Sequence, residues 1–242
     1  MTYELQAVVA GAPLIEQMAG RFQHATTVPL NQGLALIPAS ARWLREVTGP
    51  GEGRLYPVFD CLSRPLAGFL AGASLRGPVA YIEIDEQQDR TWQAAIAWSG
   101  GELALSPQVL LPGEGRPPGG GPVTEAFRLL GVTGGPGQDE WVSVGLYQFT
   151  RMQQWLEVPG LIRRLPGMEL VWEQPDEDWE GFDFDTDYHT RAAGHPFRLR
   201  ADTTRGGARY TVTFWQRTVL ELDQLPGGWR LKKRLAPEPP PS

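Results

Sequence analysis

"PVAYIEIDEQQDRTWQAAIAWSGGELALSPQVLL", residues 78–111, decides the fold class. Its three apolar runs, PVAYIEID, WQAAIAWSGG and ELALSPQVLL, are separated by polar turns and read as successive strands. The SGGE junction is the best local hairpin signal in the chain, because two glycines accept the positive φ that a tight turn demands.

Upstream, YELQAVVA predicts a first strand over Tyr3–Ala10. PLIEQMAGRF predicts a helix with Pro13 near its first turn, where a missing N–H costs nothing. TTVPL and GLALIPA, joined by NQG, suit a short hairpin, although Pro29 weakens its first strand. ARWLREV predicts a helix closed by the breakers TGPGEG. CLSRPLAGFLAGASLRG sets Leu62, Leu66, Phe69, Leu70 and Ala73 at helical spacing, with Pro65 in the first turn. Downstream, PGEGRPPGGGP (112–122) is a flexible loop. VTEAFRLLGV predicts a short helix capped by Thr124, and GQDEWVSVGLYQF a second one beginning near Asp139.

Residues 150–167, TRMQQWLEVPGLIRRLPG, predict a helix broken at Pro159 that bridges two units. Beyond it, MELVWEQ, PFRLRAD, ARYTVTFWQRTVLELDQL and WRLKKRL predict an antiparallel meander with TTRGG and PGG as turns. Tyr210, Val212, Phe214, Leu220 and Leu222 share a parity, which predicts one long, bent strand with a buried face. The expected class is α+β. A mixed sheet with several helices occupies 1–150, a helical bridge 151–167, an antiparallel β-rich domain 168–235 and a flexible tail 236–242.

The 242 residues include nine Trp and nine Phe, enough large side chains for a sizeable core. A formal net charge of −6 argues against a nucleic-acid partner. The single cysteine, Cys61, excludes an internal disulfide and a Cys-rich zinc site, and reads as a small buried hydrophobe. No apolar run reaches transmembrane length and the N-terminus lacks a signal pattern, so the expectation is a cytoplasmic protein with no membrane partner. The glycine-rich loop lacks the Gly-Lys-Ser/Thr ending of a phosphate-binding loop. His24, His189 and His195 form no paired-histidine motif, and the last two converge only if TRAAG is a tight turn.

FDFDTDYH, residues 182–189, alternates without a break, with Asp183, Asp185, Asp187 and His189 on one parity. Glu173 to Asp187 holds eight carboxylates in fifteen residues. On a strand such acids repel one another and gain from a cation. Three cations answer. One is the chain's own arginine: pairing with PFRLR sets Arg198 and Arg200 opposite aspartates and aromatic opposite aromatic. Another is a metal, although the Asp-x-Asp-x-Asp start of a calcium loop fails at Tyr188 and Gly194, where glycine and glutamate are needed. The third is a basic protein partner, met by acids interleaved with aromatics.

NQGLALIP, RGPVAYIE, EAFRLLGV and DEWVSVGL together resemble a pattern of uncharacterised cytoplasmic proteins of GC-rich bacteria, over roughly residues 3–150. The resemblance rests on core-like segments and carries over no active site. It implies an immunity-like role, that of a small acidic partner that neutralises a toxin. The leading expectation is therefore a non-enzymatic binding module, without cofactor or catalytic residue, that holds a basic toxin or effector. Its binding residues would be Trp172, Asp176, Asp178, Trp179, Asp183, Asp185, Asp187 and Tyr188. The alternative is a metal-dependent hydrolase using Asp183, Asp185, Asp187 and His189. Oligomeric state stays open.

Overall fold

The three strands expected over 78–111 are β4 (Val79–Gln87), β5 (Arg90–Ser99) and β6 (Glu102–Leu110), paired antiparallel in sequence order. Gly100 and Gly101 turn between the last two at φ 63° and 86°, values that glycine adopts without steric cost. The computed structural model describes residues 2–49, 53–87, 90–115, 117, 120–135, 139–174, 186–204, 207–214 and 217–232. The chain divides into two units, Met1–Pro159 and Gly160–Ser242.

In the first unit, β1 (Thr2–Gly11) lies between β4 and β3 (Leu34–Pro38), and β2 (Val28–Pro29) takes the edge. The order is β2-β3-β1-β4-β5-β6, and every pairing is antiparallel. The parallel pairing expected in this sheet lies instead in the second unit. Helices cover both faces, so the middle strands are apolar on both parities and read as near-continuous hydrophobic runs. Val8, Ile37, Tyr81 and Ile96 pack under α1 (Ala12–Ala19), α2 (Ala41–Thr48) and α3 (Arg64–Ala73), against Ile15, Trp43, Leu66 and Leu70. Each such fully buried side chain stabilises the fold by about 1.5–3 kcal/mol. The Ser40 and Ser63 hydroxyls accept from the N–H groups of Trp43 and Leu66 and start α2 and α3.

On the opposite parity, α4 (Pro122–Leu129) packs against β4, β5 and β6 with Val123, Ala126 and Phe127 buried. Thr124 does not cap it: Gly121 is the N-cap and Pro122 the first helical residue, a position whose N–H needs no partner. Helix α5 (Glu140–Val144) starts where the acids suggested, with the Asp139 carboxylate accepting from Val142 N–H at 2.9 Å. Gly145, at φ 85°, ends it after five residues. Helix α6 (Met152–Arg164) continues through Pro159, the residue at which the two units divide.

The second unit holds β7 (Leu170–Glu173), β8 (Asp187–Ala192), β9 (His195–Thr204), β10 (Gly207–Phe214), β11 (Arg217–Leu222) and β12 (Trp229–Lys232). Its order is β11-β10-β9-β8-β7-β12. Strands β7 to β11 form the expected antiparallel meander. The long bent strand is instead a hairpin reversing between Phe214 and Arg217. Tyr210 faces Leu222 and Val212 faces Leu220, so both arms keep their apolar residues on one face and parity alone could not distinguish the two arrangements. Strand β12 does not extend the meander. It crosses to the other edge and pairs parallel with β7. Gly228 permits this crossing, because a Cβ there would stand 2.7 Å from the Met168 carbonyl oxygen.

Leu170, Trp172, Tyr188, Ala192, Phe197, Leu199, Val212, Phe214 and Trp229 are buried on this unit's apolar face. The Trp172 and Trp229 rings lie 5.0 Å apart, and the Trp229 indole donates to the Leu165 carbonyl at 2.9 Å. No described helix is long and apolar enough to cross a membrane.

Candidate functional site

The described end of the acidic stretch is not an open face. Asp187 is 0% exposed. It pairs in register with Arg200, whose Nε and Nη2 donate to its two oxygens at 3.0 and 3.1 Å, and Arg198 donates to Oδ2 as well. At this position the cation is therefore the chain's own arginine. Guanidinium groups occupy both carboxylate oxygens, which leaves Asp187 poorly disposed to ligate a metal. Tyr188 faces the core at 2% exposure and Trp172 at 0%, so neither serves as an exposed anchor. Burial in the sheet is the physical reason: Tyr188 lies opposite Leu199, on the apolar parity. Asp176, Asp178, Trp179, Asp183 and Asp185 lie outside the described residues.

His189 and His195 do not converge. TRAAG is indeed a tight turn, with Ala193 and Gly194 at φ 47° and 82°. Yet His189 pairs with Arg198 and His195 with Ala192, which places the two rings on opposite faces. Among the described residues no group of three His, Cys, Asp or Glu stands where it could hold a metal.

A different acidic and aromatic site lies in the first unit, at the open end of its sheet. Glu4 on β1 and Asp85 on β4 are direct cross-strand partners, and Asp85 is in turn partnered by Trp92 on β5. Antiparallel pairing puts all three on one face, in one row. They share a groove of about 560 Å³ with Pro57, Val58 and Asp60 from the loop before α3, and with Leu111 and Pro112 after β6. Arg54 pairs with Asp60 at 2.7 Å, both side chains more than half exposed. Among the described residues, neither Glu4 nor Asp85 has an ion-pair partner.

Beneath this wall lies Glu83, one register step inward, opposite Gln6 and 0% exposed. Its carboxylate accepts from Asp60 N–H at 2.7 Å, Cys61 N–H at 2.8 Å and Tyr81 O–H at 2.7 Å. Three donors compensate for burying the charge and tie the Asp60 loop to the sheet. Burial nevertheless raises the Glu83 pKa above the ordinary carboxylate value, with the charge of Asp60 a smaller contribution in the same direction. Burial also pushes the Cys61 thiol up to about 11, reinforced by the charges of Glu83 and Asp60. A thiol so protonated at neutral pH is a poor nucleophile.

None of these groove residues was singled out from the sequence. A signal was present in IEID, where Glu83 and Asp85 continue the parity of Val79 and Tyr81, placing two acids on an otherwise apolar face. No known family matches the chain, and no curated protein or solved structure is similar to it.

Proposed function

We propose that the protein is a non-enzymatic binding module that receives basic side chains of a protein partner in this groove. The observation that carries the reading is the Glu4–Asp85 pair beside Trp92. Like charges directly opposite one another cost the free protein stability, and a guanidinium between them relieves that cost while stacking on the indole. Val58, Leu111 and Pro112 add apolar surface beside the charges, against which the aliphatic stem of a basic side chain packs.

An immunity-type role, in which the module occludes a basic toxin or effector, is the specific form that the resemblance of residues 3–150 suggests. Relative to the sequence expectation, the contact surface moves from the acidic stretch of the second unit to the sheet end of the first. Calorimetric titration with a tetra-arginine amide at low and high salt tests the proposal. Saturable binding that weakens with salt and with Asp85→Asn supports it; no binding at either salt removes it.

A further inference from the structure

We infer that Arg54 is a built-in stand-in for one of the partner's basic side chains: it holds Asp60 in the unbound protein and yields it to a second cation of the partner. The inference rests on the groove reading above and deepens it, because it requires a partner that presents two basic side chains and not one.

Three carboxylate-bearing residues line the groove, Glu4, Asp60 and Asp85. Glu4 and Asp85 form the cross-strand pair beside Trp92, whereas Asp60 stands on the loop before α3. Among the described residues, Asp60 alone of the three is ion-paired, and its partner is Arg54, with Nη2 2.7 Å from Oδ1. The charges of the site are thus divided: one carboxylate is already matched by a guanidinium, and two are not.

The backbone beneath this ion pair is fixed at both ends. Arg54 pairs with Ser63 in an isolated antiparallel bridge, and Leu55 N–H donates to the Leu62 carbonyl at 2.7 Å. Asp60 N–H donates to the Glu83 carboxylate at 2.7 Å. Phe59 and Leu62, both fully buried, root the loop in the core. The Arg54 and Asp60 side chains, by contrast, are each more than half exposed. An ion pair so placed contributes little to stability, because water solvates both groups and salt screens them. Asp60 can therefore exchange one guanidinium for another without unfolding the loop.

The exchange favours the partner. A guanidinium that covers Asp60 while its stem lies against Pro57 and Val58 excludes water from the contact, so the same charge pair is worth more to it than to Arg54. While Arg54 stays on Oδ1, the arriving cation meets like charge, so Arg54 opposes binding until it swings away.

The test follows the Trp92 indole N–H by NMR while two probes are titrated into the full chain. N-acetyl-arginine amide carries one guanidinium, and N-acetyl-Arg-Gly-Arg amide carries two. Arg54→Ala should tighten the two-guanidinium peptide about threefold and leave N-acetyl-arginine amide unchanged. In an Asp60→Asn background the same substitution should give no gain. The backbone bridge to Ser63 does not involve the Arg54 side chain, so its removal spares the loop. Equal tightening of both probes would make Arg54 a long-range repulsive charge, and unchanged or weaker binding of the peptide would make it a support for the loop. Either result overturns the inference and, with Trp92 still responding in the wild type, leaves the groove reading standing. A Trp92 signal that neither probe moves in the wild type removes the groove reading and this inference with it.

Discussion

Glu4 and Asp85 face each other directly across β1 and β4, two carboxylates in one cross-strand pair. A sheet built for stability alone would place a cation or an apolar residue at one of them. Neutralising either, as Glu4→Gln or Asp85→Asn, should therefore stabilise the isolated protein by about 0.2–1 kcal/mol. Urea unfolding of the single variants checks this. Destabilisation by both would mean that the pair serves the fold and not a partner.

Glu83 anchors the groove wall. Glu83→Ala leaves two backbone donors and the Tyr81 hydroxyl without their acceptor, and should cost about 2–4 kcal/mol. Amide exchange at Asp60 and Cys61 should accelerate in parallel, which denaturant unfolding alone would not reveal. Unchanged exchange at those two amides would contradict the anchoring role.

The same carboxylate makes stability depend on pH. Its folded pKa is raised, so the folded state holds the proton over a window in which the unfolded chain has released it. The contribution is fully present below the ordinary carboxylate value and is lost as pH rises through the raised folded value. The stability difference between wild type and Glu83→Gln should consequently shift against the wild type as pH climbs across that window. A shift in the opposite direction would mean that the three donors outweigh desolvation.

Cys61 should react slowly. With its pKa pushed up to about 11, the thiolate fraction at pH 8 is small, and alkylation by iodoacetamide should run on the order of 100-fold slower than for an unperturbed cysteine. Rapid labelling of the native protein would show an activated thiol instead.

Asp187 belongs to the interior of the second unit. Asp187→Asn should cost about 2 kcal/mol, since Arg198 and Arg200 lose a charged acceptor. A surface carboxylate serving only a partner would show no such loss, so an unchanged melting temperature would restore the exposed reading of this residue.

Much of the fold was legible because its signals are local. SGGE marked a two-residue turn, Pro65 marked the first turn of α3, and the apolar runs marked β4 and β5 as strands. What escaped depended on register over long separations. Nothing near residue 4 announces a partner at residue 85, and that pairing sets the two carboxylates of the groove side by side. The reversal between Phe214 and Arg217 preserved the parity of the flanking apolar residues, so a hairpin and a continuous strand looked alike. The parallel seat of β12 beside β7 rests on a backbone approach at Gly228 that composition does not encode. Of the three cations that the sequence left open for the acidic stretch, Asp187 takes the chain's own arginines, a pairing that the Arg198 and Arg200 parity had suggested.

The most direct measurement is an NMR titration of tetra-arginine amide followed at the Trp92 indole N–H, in the wild type and in the Glu4→Gln/Asp85→Asn double variant. A saturable Trp92 shift that disappears in the double variant is the expected result. A Trp92 signal that stays still in the wild type, or that moves equally in the double variant, would contradict recognition of a basic partner at this groove.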